Sequence, residues 1–435
     1  MARVLLLSTT TGYQTRAFGA AAAALGVDLV FATDRCHVLE NPWQDGAIPI
    51  RFHEEHAAAD AIVDAARRAP IDGVLAVGDR PTVIAALAAE RLGLPGHPPE
   101  AAAIARDKER SRERLRRAGL PVPWFVPARL DEDWRRLARL ARFPAVVKPV
   151  ALSASRGVMR ADNEAQLAEA LRRLRAIMRQ PELRAERNEA HERILVEGFI
   201  PGREYALEGL MHRGRLIVLA VFEKPDPLDG PFFEETIYVT PPASNTVARR
   251  IIEAVARAAE AIGLHHGPIH AECRVNDEGV FVLEVAARPI GGLCASSLRF
   301  ERLARPGDEA SAGPRLASLE ALLLRHALGE DPALWAREAN ASGVMMIPIP
   351  AAGIYREIAG LDDARRVPGV EEVVITAKPD QRLVPLPEGA SYLGFIFARA
   401  ADASTVERAL RTAHACLRFR IEPAVRVLQS GHGSV

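Results

Sequence analysis

The sequence predicts a multidomain protein of mixed α/β and α+β class, and three observations lead there. Its 435 residues suggest about two to four domains at roughly 100–200 residues each. Residues 1–98 alternate strand-like and helix-like patterns, which argues for an open parallel sheet. From Ala145 to Val285 strand patterns dominate instead. Composition bounds the rest. Hydrophobic residues make up 49% and charged residues 26%, an ordinary globular profile. Lys+Arg and Asp+Glu both count 56, so the formal net charge of +0 excludes a dedicated nucleic-acid binder, which needs clustered excess base. The four cysteines, Cys36, Cys273, Cys294 and Cys416, form no C-x-x-C pair, so neither a disulfide framework nor a zinc ribbon is expected.

The elements follow in order. Arg3–Leu7 reads as a buried first strand, too short an apolar run for a signal sequence or membrane span, so a cytoplasmic location is expected. An alanine-rich helix runs to Leu25, strands fall at Asp28–Ala32 and Gly73–Val77, and a helix at Pro81–Leu92 follows the Gly78-Asp79-Arg80 loop. No G-x-G-x-x-G follows the first strand, so NAD is not expected. Ser8–Gly12, at the carboxyl end of that strand, is either a ligand-touching loop or a plain one. After the Leu94–Pro99 linker, Glu100–Arg117 reads as one long helix, and its Arg/Lys-dense part as a solvated face with i,i+4 pairs. Strands are expected at Ala145–Val150, Ile194–Glu197, Glu204–Met211, Leu216–Phe222 and Thr236–Val239, with helices at Asn163–Arg179 and Ser244–Ile262. The tail adds strands at Val344–Ile349, Val370–Thr376 and Leu393–Ala400 and a helix at Ser404–Leu417.

Ile269–Ile290 carries the most chemistry. A three-residue Asp277-Glu278-Gly279 loop pairs Asn276 with Val280, which sets Glu272 directly opposite Glu284 and His270 opposite Ala286. Opposed carboxylates destabilise a hairpin unless something compensates. A hard divalent cation such as Mg²⁺ is one answer, and neutralisation of Glu272 by Arg274 on the same face is the other. Lys148 sits inside an otherwise apolar strand. It is either a buried ammonium that meets an anion such as phosphate or a surface-facing lysine. Ser153-Ala154-Ser155-Arg156-Gly157-Val158 has the small, hydroxyl-rich composition of a phosphate loop, shared with many plain loops. Ile194–Glu204 places an acid, an apolar pair and a second acid in one stretch.

In this order and spacing the residues resemble the ATP-grasp superfamily over roughly residues 100–330. The resemblance rests on Asp107-Lys108, Lys148, Ser153–Gly157, Glu197 with Glu204, Glu272 and Glu284-x-x-x-Arg288. It implies a Rossmann-like domain at 1–98 and an ATP-grasp domain at 99–330, whose two α+β subdomains sandwich ATP, the small lid subdomain lying at about 122–200. A C-terminal mixed α/β domain at 331–435 follows. It also implies ATP and Mg²⁺, or Mn²⁺, as cofactors. Lys108 and Lys148 then contact phosphate, with Lys148 and Arg288 as catalytic residues. Ser153, Ser155, Arg156 and Gly157 belong to the loop over the triphosphate. Glu197, Gly198, Phe199 and Ile200 form the adenine hinge, and Glu204 binds ribose. Glu272 and Glu284 hold the metal, and Arg288 faces phosphate or the reacting carboxylate. Ala286 stands where the family often has Asn.

The Ser-Ala-Ser-Arg-Gly-Val loop and the Glu-Val-Ala-Ala-Arg-Pro-Ile-Gly-Gly segment look most like L-amino-acid ligase and other carboxylate–amine ligase relatives. Those enzymes join a carboxylate to an amine through an acyl phosphate, releasing ADP and phosphate. Small-molecule carboxylate and amine substrates are therefore expected, with no nucleic acid and no membrane, and with a homodimer compatible. Glu234 and Glu235 would hold an amino group or lie in a solvated loop. His270 would contact substrate or be a hydrogen-bonded structural histidine. Gly291 and Gly292 would border the substrate, and Cys273 and Cys294 would be core packing or neighbours of the glycine loop, not nucleophiles. The other readings are a biotin-carboxylase-like or purine-pathway carboxylase and a non-catalytic ATP-binding regulatory protein.

Overall fold

A computed structural model of the chain describes residues 1–9, 13–34, 47–303 and 316–423. Cys36 and the Thr10–Gly12 part of the loop after the first strand lie outside the described residues. The alternating pattern near the N-terminus folds as read. Strands β1 (Arg3–Ser8), β2 (Asp28–Thr33), β3 (Ile48–Pro49) and β4 (Gly73–Val77) form a parallel sheet in the order β3-β2-β1-β4. Helices α1 (Tyr13–Leu25), α2 (Glu55–Arg68) and α3 (Thr82–Leu92) connect or follow them. Val4, Leu5, Leu6 and Leu7 are all fully buried, as a parallel strand covered on both faces requires.

The expected long helix at 100–117 is two helices, α4 (Pro99–Arg106) and α5 (Lys108–Arg117). Asp107 breaks it. Its backbone is extended (φ −108°, ψ 110°), and its side chain accepts from Arg110 N at 3.0 Å, capping α5. Nor is the basic run wholly solvated, because Arg112 is only 1% exposed.

Four strands make a small antiparallel sheet in the order β5-β8-β6-β7: β5 (Phe125–Arg129), β6 (Ala145–Pro149), β7 (Met159–Ala161) and β8 (Arg193–Gly198). Leu137, Val147, Leu171 and Leu174 pack its core. Five further strands enter a larger antiparallel sheet: β9 (Arg203–His212), β10 (Arg215–Lys224), β11 (Ile237–Thr240), β12 (Gly267–Asn276) and β13 (Gly279–Ala286). Its order is β13-β12-β9-β10-β11, continued by the strands Ala341–Ile347, Gly394–Ala400 and Val370–Ile375. The C-terminal strands thus extend the central sheet to eight strands. A separate three-stranded sheet of Gly353–Ala359, Arg382–Leu383 and Arg418–Glu422 lies beyond them.

The β12–β13 hairpin opposes Glu272 and Glu284, but by a different route from the expected one. Asn276 pairs with Gly279, because its Oδ1 accepts from Glu278 N (3.0 Å) and Gly279 N (3.2 Å) and tightens the turn. A bulge at Leu283 then restores the register between Cys273↔Val282 and Glu272↔Glu284. Among the described residues, no helix is long and apolar enough to cross a membrane.

Candidate active site

The small sheet and the central sheet face each other across a cavity of about 350 Å³. Lys108, Lys148, Glu272, Glu284 and Arg288 all line it, as do Ser153, Ser155, Glu197–Ile200, Glu204, Glu235, His270, Gly291 and Gly292. Residues from Lys108 to Gly292 therefore converge on one cleft. Each cation in it is held by a carboxylate.

Lys148 is 6% exposed and bonds Glu197. Arg112 completes the pair from α5, with Nε donating to Glu197 Oε2 at 2.9 Å and Nη2 to Oε1 at 3.1 Å. Its Nη1 donates to Val282 O at 2.9 Å, which ties the small sheet to β13. Burial works against the Glu197 charge, but Arg112 and Lys148 outweigh it and hold the carboxyl at about 2. Burial draws the Lys148 ammonium down to about 8, with Glu197 opposing and Arg112 reinforcing the shift. Lys148 is thus the buried ammonium of the two readings, and Glu197 is its anchor. Gly198 must lack a side chain there, since a Cβ would meet Trp124 Nε1 at 2.7 Å.

At the hairpin, Lys108 Nζ lies 3.2 Å from Glu284 Oε2 and donates to Leu152 O at 2.8 Å. Glu272 meets Lys224 Nζ at 3.2 Å. Behind the lining, Lys224 also bonds Glu204 (2.7 Å) and Glu235. Arg274 does not neutralise Glu272. It reaches Glu204 Oε2 at 2.9 Å and Ile200 O at 2.8 Å, between the rings of Phe199 and Phe233. Burial and the Glu272 charge push Glu235 up to about 7, although Lys224 opposes them.

Arg288 forms a fork with Asp79 from the N-terminal sheet, Nε–Oδ1 2.7 Å and Nη2–Oδ2 3.2 Å. His270 is 6% exposed. Its Nδ1 pairs with Glu208 at 3.1 Å, and Ile290 N donates to the same carboxylate. Burial opposes charge on the ring, yet bonds to Glu208 and Glu272 raise it to about 9.

Not every expected residue reaches the cavity. Arg156 and Gly157 turn toward the C-terminal region, where Arg156 Nε donates to Glu388 O at 3.0 Å and Gly157 N to Pro387 O at 2.9 Å. Glu234 is half-buried outside the lining, and Glu235 already bonds Lys224 rather than standing free. Cys273 is buried packing, while Cys294 borders the cavity with burial raising its thiol to about 12. Sequence reasoning missed Asp79, Arg112, Glu208 and Lys224. Asp79 follows the carboxyl end of a parallel strand, where ligand-facing residues gather, and Lys224 ends an apolar strand as Lys148 does. Arg112 carried no signal, because it sits among charged neighbours that are solvated.

The cleft thus gathers the hard oxygen donors of Glu272 and Glu284, the cations Lys108, Lys148 and Arg288, and the Glu197–Ile200 segment. Comparison with known proteins gives the family. Residues 19–96 match the ATP-grasp N-terminal domain family, 141–297 the ATP-grasp domain family, and 345–422 the L-amino acid ligase C-terminal domain 2 family. The chain is 29% identical to alanine–anticapsin ligase of Bacillus subtilis, over 55% of this chain and 54% of that protein. It is 30% identical to D-alanine–D-alanine ligase of a Synechococcus strain, over 62% of this chain and 78% of that one. The solved L-amino acid ligase of Bacillus licheniformis superimposes with a TM-score of 0.78 at 26% identity, over 97% of this chain and 99% of the other. The chain spans about two thirds or less of the first curated relatives it matches. With three families matched in chain order and a relative of 30% identity covered over most of its length, this chain belongs to the ATP-grasp family.

Proposed function

We propose that the protein is an ATP-dependent carboxylate–amine ligase that forms an amide or peptide bond, with an amino acid as one substrate. The observation that carries this reading is the opposed Glu272–Glu284 pair facing Lys108, Lys148 and Arg288 across one cleft. The likeness to the L-amino acid ligase of Bacillus licheniformis over nearly the whole chain supports the substrate class.

Glu272 and Glu284 fit a Mg²⁺ or Mn²⁺ ion. Both are hard oxygen donors, their side chains stay 26% and 23% exposed to the cleft, and each now meets a lysine ammonium. When bound, the ion neutralises charge on the phosphate oxygens. Lys108 and Lys148 hold the phosphates of ATP, a co-substrate in this reading, and the Glu197–Ile200 segment of the lining takes the base. Arg288, fixed in orientation by Asp79 and by its Nη1 bond to Pro289 O at 3.0 Å, lies in the cleft lining as the cation for the substrate carboxylate. A carboxylate oxygen then attacks the outermost phosphorus, the bond to ADP breaks, and the amine displaces phosphate from the acyl phosphate. No side-chain nucleophile is needed.

The test is an ADP- and phosphate-release screen over a matrix of amino acids and other amines, with hydroxylamine as a trap. A hydroxamate from acid, ATP and hydroxylamine is expected, with full turnover only when acid and amine are both present. AMP as product, or ADP release that answers only to bicarbonate, overturns the reading.

A further inference from the structure

At the far end of the central sheet, three histidines from three elements meet. His212 ends β9, His266 directly precedes β12, and His326 lies in the helix Leu319–Ala327. Their candidate ligand nitrogens all lie within 4.8 Å of one another. His212 Nδ1 and His326 Nε2 are 3.2 Å apart, and the His266 and His326 rings stack at 4.1 Å. Along β9, His212 lies eight positions from Glu204, about 26 Å of strand, so this cluster is remote from the cleft.

We propose that His212, His266 and His326 form a binding site for a zinc-class transition-metal ion that fastens the helix Leu319–Ala327 to the central sheet. Tetrahedral zinc at about 2.0–2.1 Å from imidazole nitrogens separates those nitrogens by about 3.3 Å. The His212–His326 pair already stands at that spacing. Bringing in the third nitrogen takes a ring shift of about 1.5 Å and a tilt of the stacked His266 and His326 planes toward the ion. A second observation points the same way: His266 Nε2 is buried and has no hydrogen-bond partner, and a buried polar nitrogen without one calls for a ligand. His266 is 7% and His326 2% exposed, whereas His212 is half-buried and leaves room for water as a fourth ligand. Soft-to-borderline imidazole donors select zinc, cobalt, nickel or copper and not magnesium, which separates this site from the carboxylate pair.

The surroundings are built to hold the rings in place. His97 braces the turn, its Nε2 meeting Pro268 O at 3.1 Å while its Nδ1 accepts from His265 N at 3.1 Å. The helix bearing His326 packs hard on the N-terminal sheet, since a Cβ on Gly73 would lie 2.7 Å from Ala327 O. A metal here links the N-terminal sheet, through that helix, to β9 and β12.

The test uses the full chain, stripped with chelator and titrated with Co²⁺ and then Zn²⁺. One Co²⁺ per chain with visible d–d absorption is expected, displaced by Zn²⁺, and Zn²⁺ should raise Tm by a few degrees. The double variant Glu272→Gln/Glu284→Gln should keep this binding. His326→Gln should lose it, with ATP hydrolysis unchanged. His212→Asn, at a half-buried ring, makes the same test if His326→Gln does not fold. Absence of Co²⁺ and Zn²⁺ binding in the wild type, or equal binding in the histidine variants, overturns the proposal.

Discussion

Asp79 and Arg288 join the N-terminal sheet to the end of the β12–β13 hairpin through a two-bond fork, and 209 residues of chain separate them. The Arg288 side chain is buried, and the Asp79 charge keeps its guanidinium protonated beyond the ordinary range despite the cost of burial. The same pair holds the Asp79 carboxyl below its usual range against burial. Asp79→Ala should therefore cost about 3–5 kcal/mol of stability, because it leaves a buried charge unpaired. Asp79→Asn should cost less and still lower kcat, since one arm of the fork is lost. Denaturant unfolding and ADP-release assays on both variants check this. A wild-type kcat in Asp79→Asn would remove Asp79 from the positioning of Arg288.

Lys148 gives a pH prediction. Burial lowers its ammonium to about 8 from an ordinary 10.5. The sign follows from proton counts. Between about 8 and 10.5 the unfolded chain binds more protons at this site, so this group adds stability as pH rises through that window. Binding runs the other way. Above about pH 8 the free cleft holds a neutral amine, and ATP must recruit a proton to gain its cation. The Kd for ATP should climb by up to about fivefold between pH 8 and 9, and more steeply above that. Lys148→Arg, which stays charged, should flatten that climb. Calorimetric titration of ATP at several pH values tests both.

Glu284→Gln should abolish turnover and leave the fold intact. The Glu284 side chain is 23% exposed and its partner is a single lysine, so the stability change should stay within about 1 kcal/mol. Relief of repulsion with Glu272 and loss of the Lys108 contact act in opposite directions. Thermal unfolding without Mg²⁺ measures the first claim and ADP release the second. Wild-type rates would sink the metal assignment.

What the sequence revealed and what it hid divide along local and non-local chemistry. The β–α alternation, the central strands and the opposition of Glu272 and Glu284 are local patterns, and they were readable from periodicity and turn residues. The opposition survived an error of turn length only because the bulge at Leu283 cancelled it. The break at Asp107 hid inside a charge-rich run whose helix propensity is high on both sides. Arg112 and Asp79 act through partners 85 and 209 residues away. No spacing rule couples such distances. A charged residue next to other charged residues reads as surface until the fold shows what it touches.

The last prediction concerns how the small sheet is held over the cleft. Glu388 receives a fork from Arg173, Nε–Oε1 2.9 Å and Nη2–Oε2 2.9 Å, and its carbonyl accepts from Arg156. Gly157 N bonds the neighbouring Pro387 carbonyl. The loop beside Ser153 and Ser155 is thus latched to the C-terminal region. A cleft closed by such a latch must release it to exchange nucleotide, and must keep it closed to exclude water during phosphoryl transfer. Glu388→Ala removes the fork and spares both backbone bonds, so the closed state should weaken without disappearing. Because the fork's groups are only partly buried, at 27% and 34% exposure, little global stability should be lost. Water then competes with the amine for the activated acid. ADP release in the absence of amine should rise severalfold relative to wild type, while amide formed per ADP falls. Parallel measurement of ADP and amide product reads the ratio directly. An unchanged ratio would show that the latch plays no part in excluding water.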